Sequence, residues 1–291
     1  MKLLVNALTL AGALAAVVIV DAAWRQSQAG ERLPLSEVSH IHGIAVDPAD
    51  PSRLYLATHY GVWHTSTEGT AERISDNRND YMGFTPHPSE AGVFLGSGHP
   101  EEGGNMGVII SRDRGRSWQQ LANGAEGPVD FHAMDISGAD SNVIYGLYGN
   151  LQVSRDGGKS WKAGGSPPAD VFDLAASSVN PDIVYAATRN GLMISRDGGS
   201  SWATAGFEGQ PASMVKAGPD GAVYAFVLGS GLVKAPAMAL AWEPVSDKFG
   251  DQILLHLAID PNDPKRLFAV TDKSKILVST DGGRNWVPIG S

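Results

Sequence analysis

The chain of 291 residues contains no cysteine. Disulfide bonds, thiolate metal ligands and a cysteine nucleophile are therefore excluded, and a metal site must use histidine, methionine, carboxylate or backbone oxygen atoms. Basic residues are also scarce, because 22 Lys and Arg stand against 31 Asp and Glu and the net charge is -9. Since nucleic-acid binding depends on clustered basic residues, this composition argues against a nucleic-acid partner.

Several familiar catalytic motifs are missing as well. The sequence has no phosphate-binding glycine loop, no HExxH zinc-protease motif, no EF-hand loop and no GxSxG nucleophile elbow. No residue is therefore assigned a catalytic role. The sequence leaves open whether the protein is an enzyme, and its features argue more against catalysis than for it.

A long apolar stretch stands at the N-terminus, where Lys2 precedes the run of residues 3–20. This pattern predicts a cleaved signal peptide or a retained membrane anchor over residues 1–23. Both place the rest of the chain in the periplasm or outside the cell, and a retained anchor would hold it at the inner membrane. Residues 24–39 are predicted to be a polar linker, in which residues 33–38 either add an edge strand or plug one opening.

Four segments repeat the pattern Ser-x-Asp-x-Gly-x-x-Trp. They occupy residues 111–118, 154–161, 195–202 and 279–286. Their starts are 43, 41 and 84 residues apart, so the last interval holds a unit that has lost the motif, and a degenerate copy lies at residues 66–69. A period of roughly 40–45 residues with four short strands is typical of propeller blades. The sequence predicts an all-β, six-bladed β-propeller over residues 40–291, with blades starting near residues 41, 81, 129, 171, 212 and 253.

The repeated motif has the chemistry of a tight hairpin turn. Its aspartate accepts backbone N–H bonds inside the turn, its glycine supplies positive φ, and its tryptophan packs between strands. The motifs resemble the Asp-box (BNR) repeats of sialidases, sortilin-type receptors and secreted glycosidase propellers, and photosystem II assembly-factor propellers are similar. This resemblance implies the propeller fold but indicates little about activity, because one fold hosts many functions. The motif aspartates are predicted to be structural; they are Asp113, Asp156, Asp197 and Asp281.

Alignment of the six predicted inner strands places ligand-type side chains at the channel. Period-2 alternation separates an apolar face from a channel-facing position. The six channel-facing residues are His42, Met82, His132, Asp173, Met214 and His256. Two residues earlier on that face lie His40, Asp80 and Asp130. His59 and His99 end second strands, which return to the same mouth.

A cluster of imidazole and thioether groups points to a transition metal. Imidazole suits copper and zinc, and thioether suits Cu(I), so an exported cysteine-free protein favours copper with zinc as the alternative. Asp80 or Asp130 is expected to orient a ligating imidazole. The predicted metal ligands are His42, His132, His256, Met82, Met214, His40, His59, His99 and Asp173.

Three functions remain open. The main hypothesis is an exported propeller that stores, handles or delivers a metal ion. The alternative is a scaffold or assembly factor of a membrane protein complex, attached through an uncleaved N-terminal segment. The second alternative is a glycoside hydrolase, which the sialidase resemblance implies. The channel lacks the arginine cluster that sialidases need, although Asp80, Asp130 and Asp173 offer carboxylates for hydrolysis.

Overall fold

The computed structural model describes residues 30–290 as six antiparallel sheets around a central channel. This arrangement confirms the predicted all-β, six-bladed propeller with four-stranded blades. The predicted signal peptide or anchor lies outside the described residues. Within residues 30–290, no helix has the length and apolar character needed to cross a membrane.

Each blade is a sheet whose consecutive strands run antiparallel. The strands of the first three blades are β1 (Arg32–Pro34), β2 (Ile41–Val46), β3 (Leu54–Thr58), β4 (Gly61–Thr65), β5 (Thr70–Arg73), β6 (Asp80–Pro86), β7 (Phe94–His99), β8 (Val108–Ser111), β9 (Gln119–Ala122), β10 (Ala133–Ile136), β11 (Ile144–Tyr148), β12 (Asn150–Ser154) and β13 (Lys162–Ala163). Those of the last three are β14 (Val171–Ala176), β15 (Val184–Thr188), β16 (Gly191–Ser195), β17 (Ala203–Gly206), β18 (Ala212–Ala217), β19 (Ala222–Val227), β20 (Gly231–Pro236), β21 (Glu243–Ser246), β22 (Leu254–Ile259), β23 (Leu267–Thr271), β24 (Ile276–Ser279) and β25 (Val287–Pro288).

The hydrophobic core is divided among the joints between blades. Within residues 30–290, six apolar clusters occur, and each contains residues from two neighbouring blades. The inner strands β2, β6, β10, β14, β18 and β22 pack in a closed ring. Both faces of an inner strand are therefore occupied by neighbouring blades, and the strand presents its unpaired edge to the channel.

The repeated motif forms the turn that its composition predicts. In the third blade, Asp156 Oδ1 accepts the backbone N–H of Ser160 at 2.9 Å, and Oδ2 accepts its hydroxyl at 2.6 Å. Gly157 and Gly158 have φ values of +74° and +86°, which a side chain would disfavour. Trp161 is 7% exposed and donates its indole N–H to the Gly158 carbonyl. These local bonds make the motif a structural element.

The segment before the first blade belongs to the propeller. Strand β1 pairs antiparallel with β5 and gives the first blade a fifth, outer strand. A 3-10 turn, Leu35–Glu37, follows and buries Leu35 in the cluster between the first and last blades. Of residues 33–38, the first two thus lie in an additional edge strand, and part of the predicted linker packs on the ring.

Candidate functional site

The mouth of the channel is shaped by irregular pairing at the start of the inner strands. In four blades the register with the second strand skips one residue. The skipped residues are His42, Phe172, Ser213 and Leu255. A bulge leaves its extra residue out of the ladder and bends the strand. None of the four is buried, so each of these bulges leaves one residue accessible at the start of its inner strand.

These bulges correct the predicted column of six channel-facing residues. By register, His42 corresponds to Phe172, whereas Asp173 corresponds to Gly43. The predicted column therefore combined residues from two different positions in the strand register. Met214 and His256 occupy the Gly43 position as well. A simple period of two cannot detect the extra residue, which explains the error.

Side chains at that second position point to the following blade. Met214 is fully buried in the apolar cluster between the fifth and sixth blades. Asp173 accepts backbone N–H bonds from Leu174 at 2.9 Å and from Val215 at 3.0 Å. These carboxylate bonds satisfy backbone donors of the inner strands, which have no further strand to pair with.

His256 also bonds to a neighbouring inner strand. Its ring hydrogen-bonds to the backbone of Ile41, and burial lowers the pKa of His256 to about 4. The channel cavity of about 310 Å³ is lined by His42, His132, Asp173 and His256, among others, but not by Met82 or Met214.

Three residues from the first two blades form what we call the inner cluster: His42, His59 and Asp80. His42 lies at the bulge of β2, His59 directly follows β3, and Asp80 begins β6. His59 Nδ1 lies 2.6 Å from Asp80 Oδ2, and His42 Nε2 lies 3.9 Å from Asp80 Oδ1. His40 stands beside them, exposed, with its ring centroid 5.0 Å from that of His59.

The inner cluster contains polar atoms without a partner. His42 Nε2 and Asp80 Oδ1 are both buried and make no hydrogen bond. Burial, followed by the adjacent His59, lowers the pKa of His42 to about 4. The His42 imidazole is therefore neutral at pH 7 and able to act as a metal ligand.

Three residues from the second and third blades form the outer cluster: His99, Asp130 and His132. The Asp130 Oδ2 atom lies 2.8 Å from His99 Nε2 and 2.7 Å from His132 Nε2. The hydrogen bond to Asp130 raises the pKa of His132. His99 is the residue paired with Asp80 across β6 and β7, so the two clusters adjoin.

The structure thus brings four of the predicted ligands, His42, His59, His99 and His132, to one mouth, together with His40. Asp80 and Asp130, expected to orient an imidazole or to supply carboxylates for hydrolysis, lie at the centres of the two clusters. Each cluster has three potential ligand atoms within 4.8 Å of one another. In the sequence, the indication for these two carboxylates was that each lies two residues before one of the residues aligned as channel-facing.

The channel also holds a charged group that the sequence analysis did not identify. Lys216 Nζ lies 2.9 Å from Asp135 Oδ1, which also accepts a hydrogen bond from Thr85. Asp135 Oδ2 accepts the backbone N–H of Ala176. Burial opposes protonation of Lys216, but the Asp135 carboxylate more than offsets this and raises the pKa of Lys216. This network joins inner strands of the second to fifth blades.

Comparisons with known proteins identify the repeat. The model of the BNR/Asp-box repeat matches residues 152–163. A curated relative, the oligoxyloglucan-reducing end-specific xyloglucanase of Emericella nidulans, is 25% identical over 149 residues, which is 44% of this chain and 18% of that protein. The resemblance to Asp-box repeats is confirmed, while the stretch shared with the enzyme is short.

Solved structures show the same fold. The GH74 xyloglucanase from Xanthomonas campestris aligns with a TM-score of 0.57 and 18% identity over 89% of this chain and 46% of its own. YCF48 from Cyanidioschyzon merolae aligns with a TM-score of 0.54 and 18% identity over 89% of this chain and 88% of its own. The chain spans less than half the length of the xyloglucanases it matches. At these identities the likeness shows the fold.

Proposed function

We propose that this protein is an exported propeller that binds a divalent transition-metal ion, copper or zinc, in the inner cluster at the mouth of its channel. One observation carries the proposal. His42 Nε2 and Asp80 Oδ1 are buried, lack hydrogen-bond partners and face each other at 3.9 Å. The role that follows is storage, handling or delivery of the metal.

The unpartnered atoms favour a cation on energetic grounds. A buried polar group without a partner costs about 1–3 kcal/mol. Imidazole and carboxylate ligands lie about 2.0–2.2 Å from zinc, so two ligands of one ion are about 3.5 Å apart. One ion between His42 and Asp80 would satisfy both atoms after a shift of a few tenths of an ångström. His59 is the third ligand of this proposed site.

The composition of the cluster favours a divalent ion over Cu(I). Thioether ligands select Cu(I), whereas imidazole and carboxylate suit Zn(II) and Cu(II). Met82 is 8% exposed, Met214 is fully buried, and neither lines the cavity. The copper proposal therefore rests on the histidines and on Asp80, without a methionine ligand.

The direct test is titration of the metal-free protein with Zn²⁺ and Cu²⁺. His42→Gln/His59→Gln should lower the affinity of one site by at least tenfold, because it removes two of three ligands. His87→Gln is the matched control, since His87 lies in a turn and contacts Glu90. Equal binding by all three proteins would contradict the proposal. Unfolding curves would show that the variant keeps its fold.

A second candidate is a glycoside hydrolase, and the comparisons favour this alternative over a copper-handling role. The curated relative and the matched structure from Xanthomonas campestris are named xyloglucanases. Asp80 and Asp130 supply carboxylates at the mouth, and burial raises the pKa of Asp173 to about 7, which suits a general acid. Release of reducing sugar from xyloglucan oligosaccharides, lost in Asp80→Asn and Asp130→Asn, would support this function. No release at high enzyme concentration would reject it.

Export and membrane attachment are part of the proposal and rest on the N-terminal sequence. The assembly-factor alternative depends on the same segment and on the whole-length likeness to YCF48. Cell fractionation, combined with N-terminal sequencing of the isolated protein, separates the cases. A mature chain that begins near residue 23 or 30, after Ala22 or Ala29, indicates cleavage. An intact chain in the membrane fraction indicates an anchor.

A further inference from the structure

The outer cluster contains a histidine whose orientation is set by a loop. His99 Nδ1 lies 2.7 Å from the carbonyl oxygen of Gly104, in the loop of residues 100–106. A carbonyl only accepts hydrogen bonds, so Nδ1 must carry the proton. In the neutral ring, Nε2 then presents a lone pair. A ligating histidine is commonly fixed in this way, by a carbonyl that binds its other nitrogen.

That lone pair faces a second acceptor. His99 Nε2 lies 2.8 Å from Asp130 Oδ2, and an ionised carboxylate is also an acceptor. His132 Nε2 approaches the same oxygen at 2.7 Å. One oxygen atom thus lies within hydrogen-bond distance of two ring nitrogens, and a proton or a cation has to lie between it and His99 Nε2.

The Asp130 carboxylate is enclosed, while its two partners are accessible. The side chain of Asp130 is 4% exposed, and its Oδ1 atom is buried without a hydrogen-bond partner. The side chains of His99 and His132 are 41% and 66% exposed. The cluster therefore has an enclosed carboxylate below and two solvent-accessible imidazoles above.

We propose that the outer cluster is a second divalent-metal site, formed by His99 Nε2, His132 Nε2 and the Asp130 carboxylate, separate from the inner cluster. The exposed rings need to move outward by about 0.6 Å to reach ordinary ligand separations. Solvent completes the coordination, so this site exchanges its ion faster than the half-buried inner cluster. It does not depend on the inner cluster being a metal site.

The experiment counts Zn²⁺ ions bound to the full chain by native mass spectrometry. The wild type and the His87→Gln control should bind two ions. His99→Gln/His132→Gln should bind one ion and keep the affinity of the inner cluster. His42→Gln/His59→Gln should also bind one. The spectrum of Cu²⁺ in this inner-cluster variant, recorded by electron paramagnetic resonance, should show coupling to two imidazole nitrogens.

Each contrary result has a distinct meaning. If His99→Gln/His132→Gln binds as many ions as the wild type, the outer site is wrong and the inner site stands. If His42→Gln/His59→Gln alone is unaffected, the inner site is wrong and the outer site stands. Loss of both ions in either variant would show one shared centre and overturn the separation. Asp130→Asn, measured with an unfolding curve, checks the outer site without touching a histidine.

Discussion

A single carboxylate organises each half of the mouth. Asp80 binds His59 through one oxygen and faces His42 with the other, and Asp130 holds His99 and His132 through a single oxygen. Carboxylates at such positions determine both the charge of the site and the orientation of the imidazoles.

Asp80→Asn is expected to weaken metal binding at the inner cluster at least tenfold, which corresponds to about 1.4 kcal/mol. The amide keeps the size of the side chain but removes the negative charge that a divalent ion requires. Isothermal titration with Zn²⁺ measures the change. Asp140→Asn, in an exposed turn of the third blade, is the control and should bind like the wild type.

Asp173 makes stability depend on pH. Burial raises the pKa of Asp173 to about 7, against about 3.9 in the unfolded chain, with Lys216 lowering and Asp135 raising it. Between these values the native state holds the extra proton, so the free energy of unfolding falls as pH rises from about 4 to about 7 and then levels off.

Asp173→Asn should remove that part of the pH dependence. Each unit by which the pKa is raised corresponds to about 1.4 kcal/mol in the free energy of unfolding. The difference in this free energy between wild type and variant should therefore change across the pH range by a few times this value at most. Urea unfolding at pH 4, 5.5 and 7.5 measures the free energy of unfolding of both proteins across this range. Parallel curves for the two proteins would show that Asp173 ionises normally.

At the scale of the element, the Asp-box turn and the bulge have opposite consequences. The turn closes each hairpin through bonds within a few residues and is repeated almost unchanged. The bulge differs between blades, because the fold tolerates an extra residue at the free end of an inner strand. The four skipped residues are chemically unlike, and they give the mouth a histidine-rich side and a side with exposed Phe172.

Asp113→Ala should destabilise the protein by about 1–3 kcal/mol without changing metal binding. Its carboxylate accepts bonds from the backbone of Arg116 and Ser117 and from the hydroxyls of Ser111 and Ser117. Glu68→Ala is the matched control in the degenerate copy, since no hydrogen bond of its side chain occurs within residues 30–290. Thermal unfolding compares the two, and equal midpoints would contradict the structural role.

At the scale of the whole molecule, the ring closes without exchange of strands between its first and last blades. The sixth blade contains its own four strands, and the N-terminal segment packs over the joint. Leu35 is 2% exposed, and a side chain at Gly290 would meet it at 3.2 Å. In the absence of disulfides, this apolar contact and its neighbours hold the two ends of the ring together.

Leu35→Ala is expected to lower the free energy of unfolding by about 2–4 kcal/mol, because it leaves a cavity at the closing joint. Leu255→Ala, at a 36% exposed position of the last blade, should cost far less. Chemical denaturation measures both changes. Equal, small effects would show that the ring closes independently of the N-terminal segment.

The fold could be predicted from the sequence because its information is local. The Asp-box turn depends on bonds such as Ser154 to Asp156 and Asp156 to Ser160, at separations of two and four residues. The period of the motif then sets the number of blades. The convergence of His59 and His99 on the mouth also followed from the antiparallel order of strands.

The composition of the site was decided by the tertiary structure. His59 meets Asp80 across 21 residues, and Lys216 meets Asp135 across 81. These contacts depend on how neighbouring blades pack and on single-residue bulges, which shift a strand's register without altering its apolar pattern. Sequence therefore determined the propeller and the end of the channel that carries the histidines. Only the packing of the blades in the ring placed aspartates beside these histidines and left Met82 and Met214 outside the cavity.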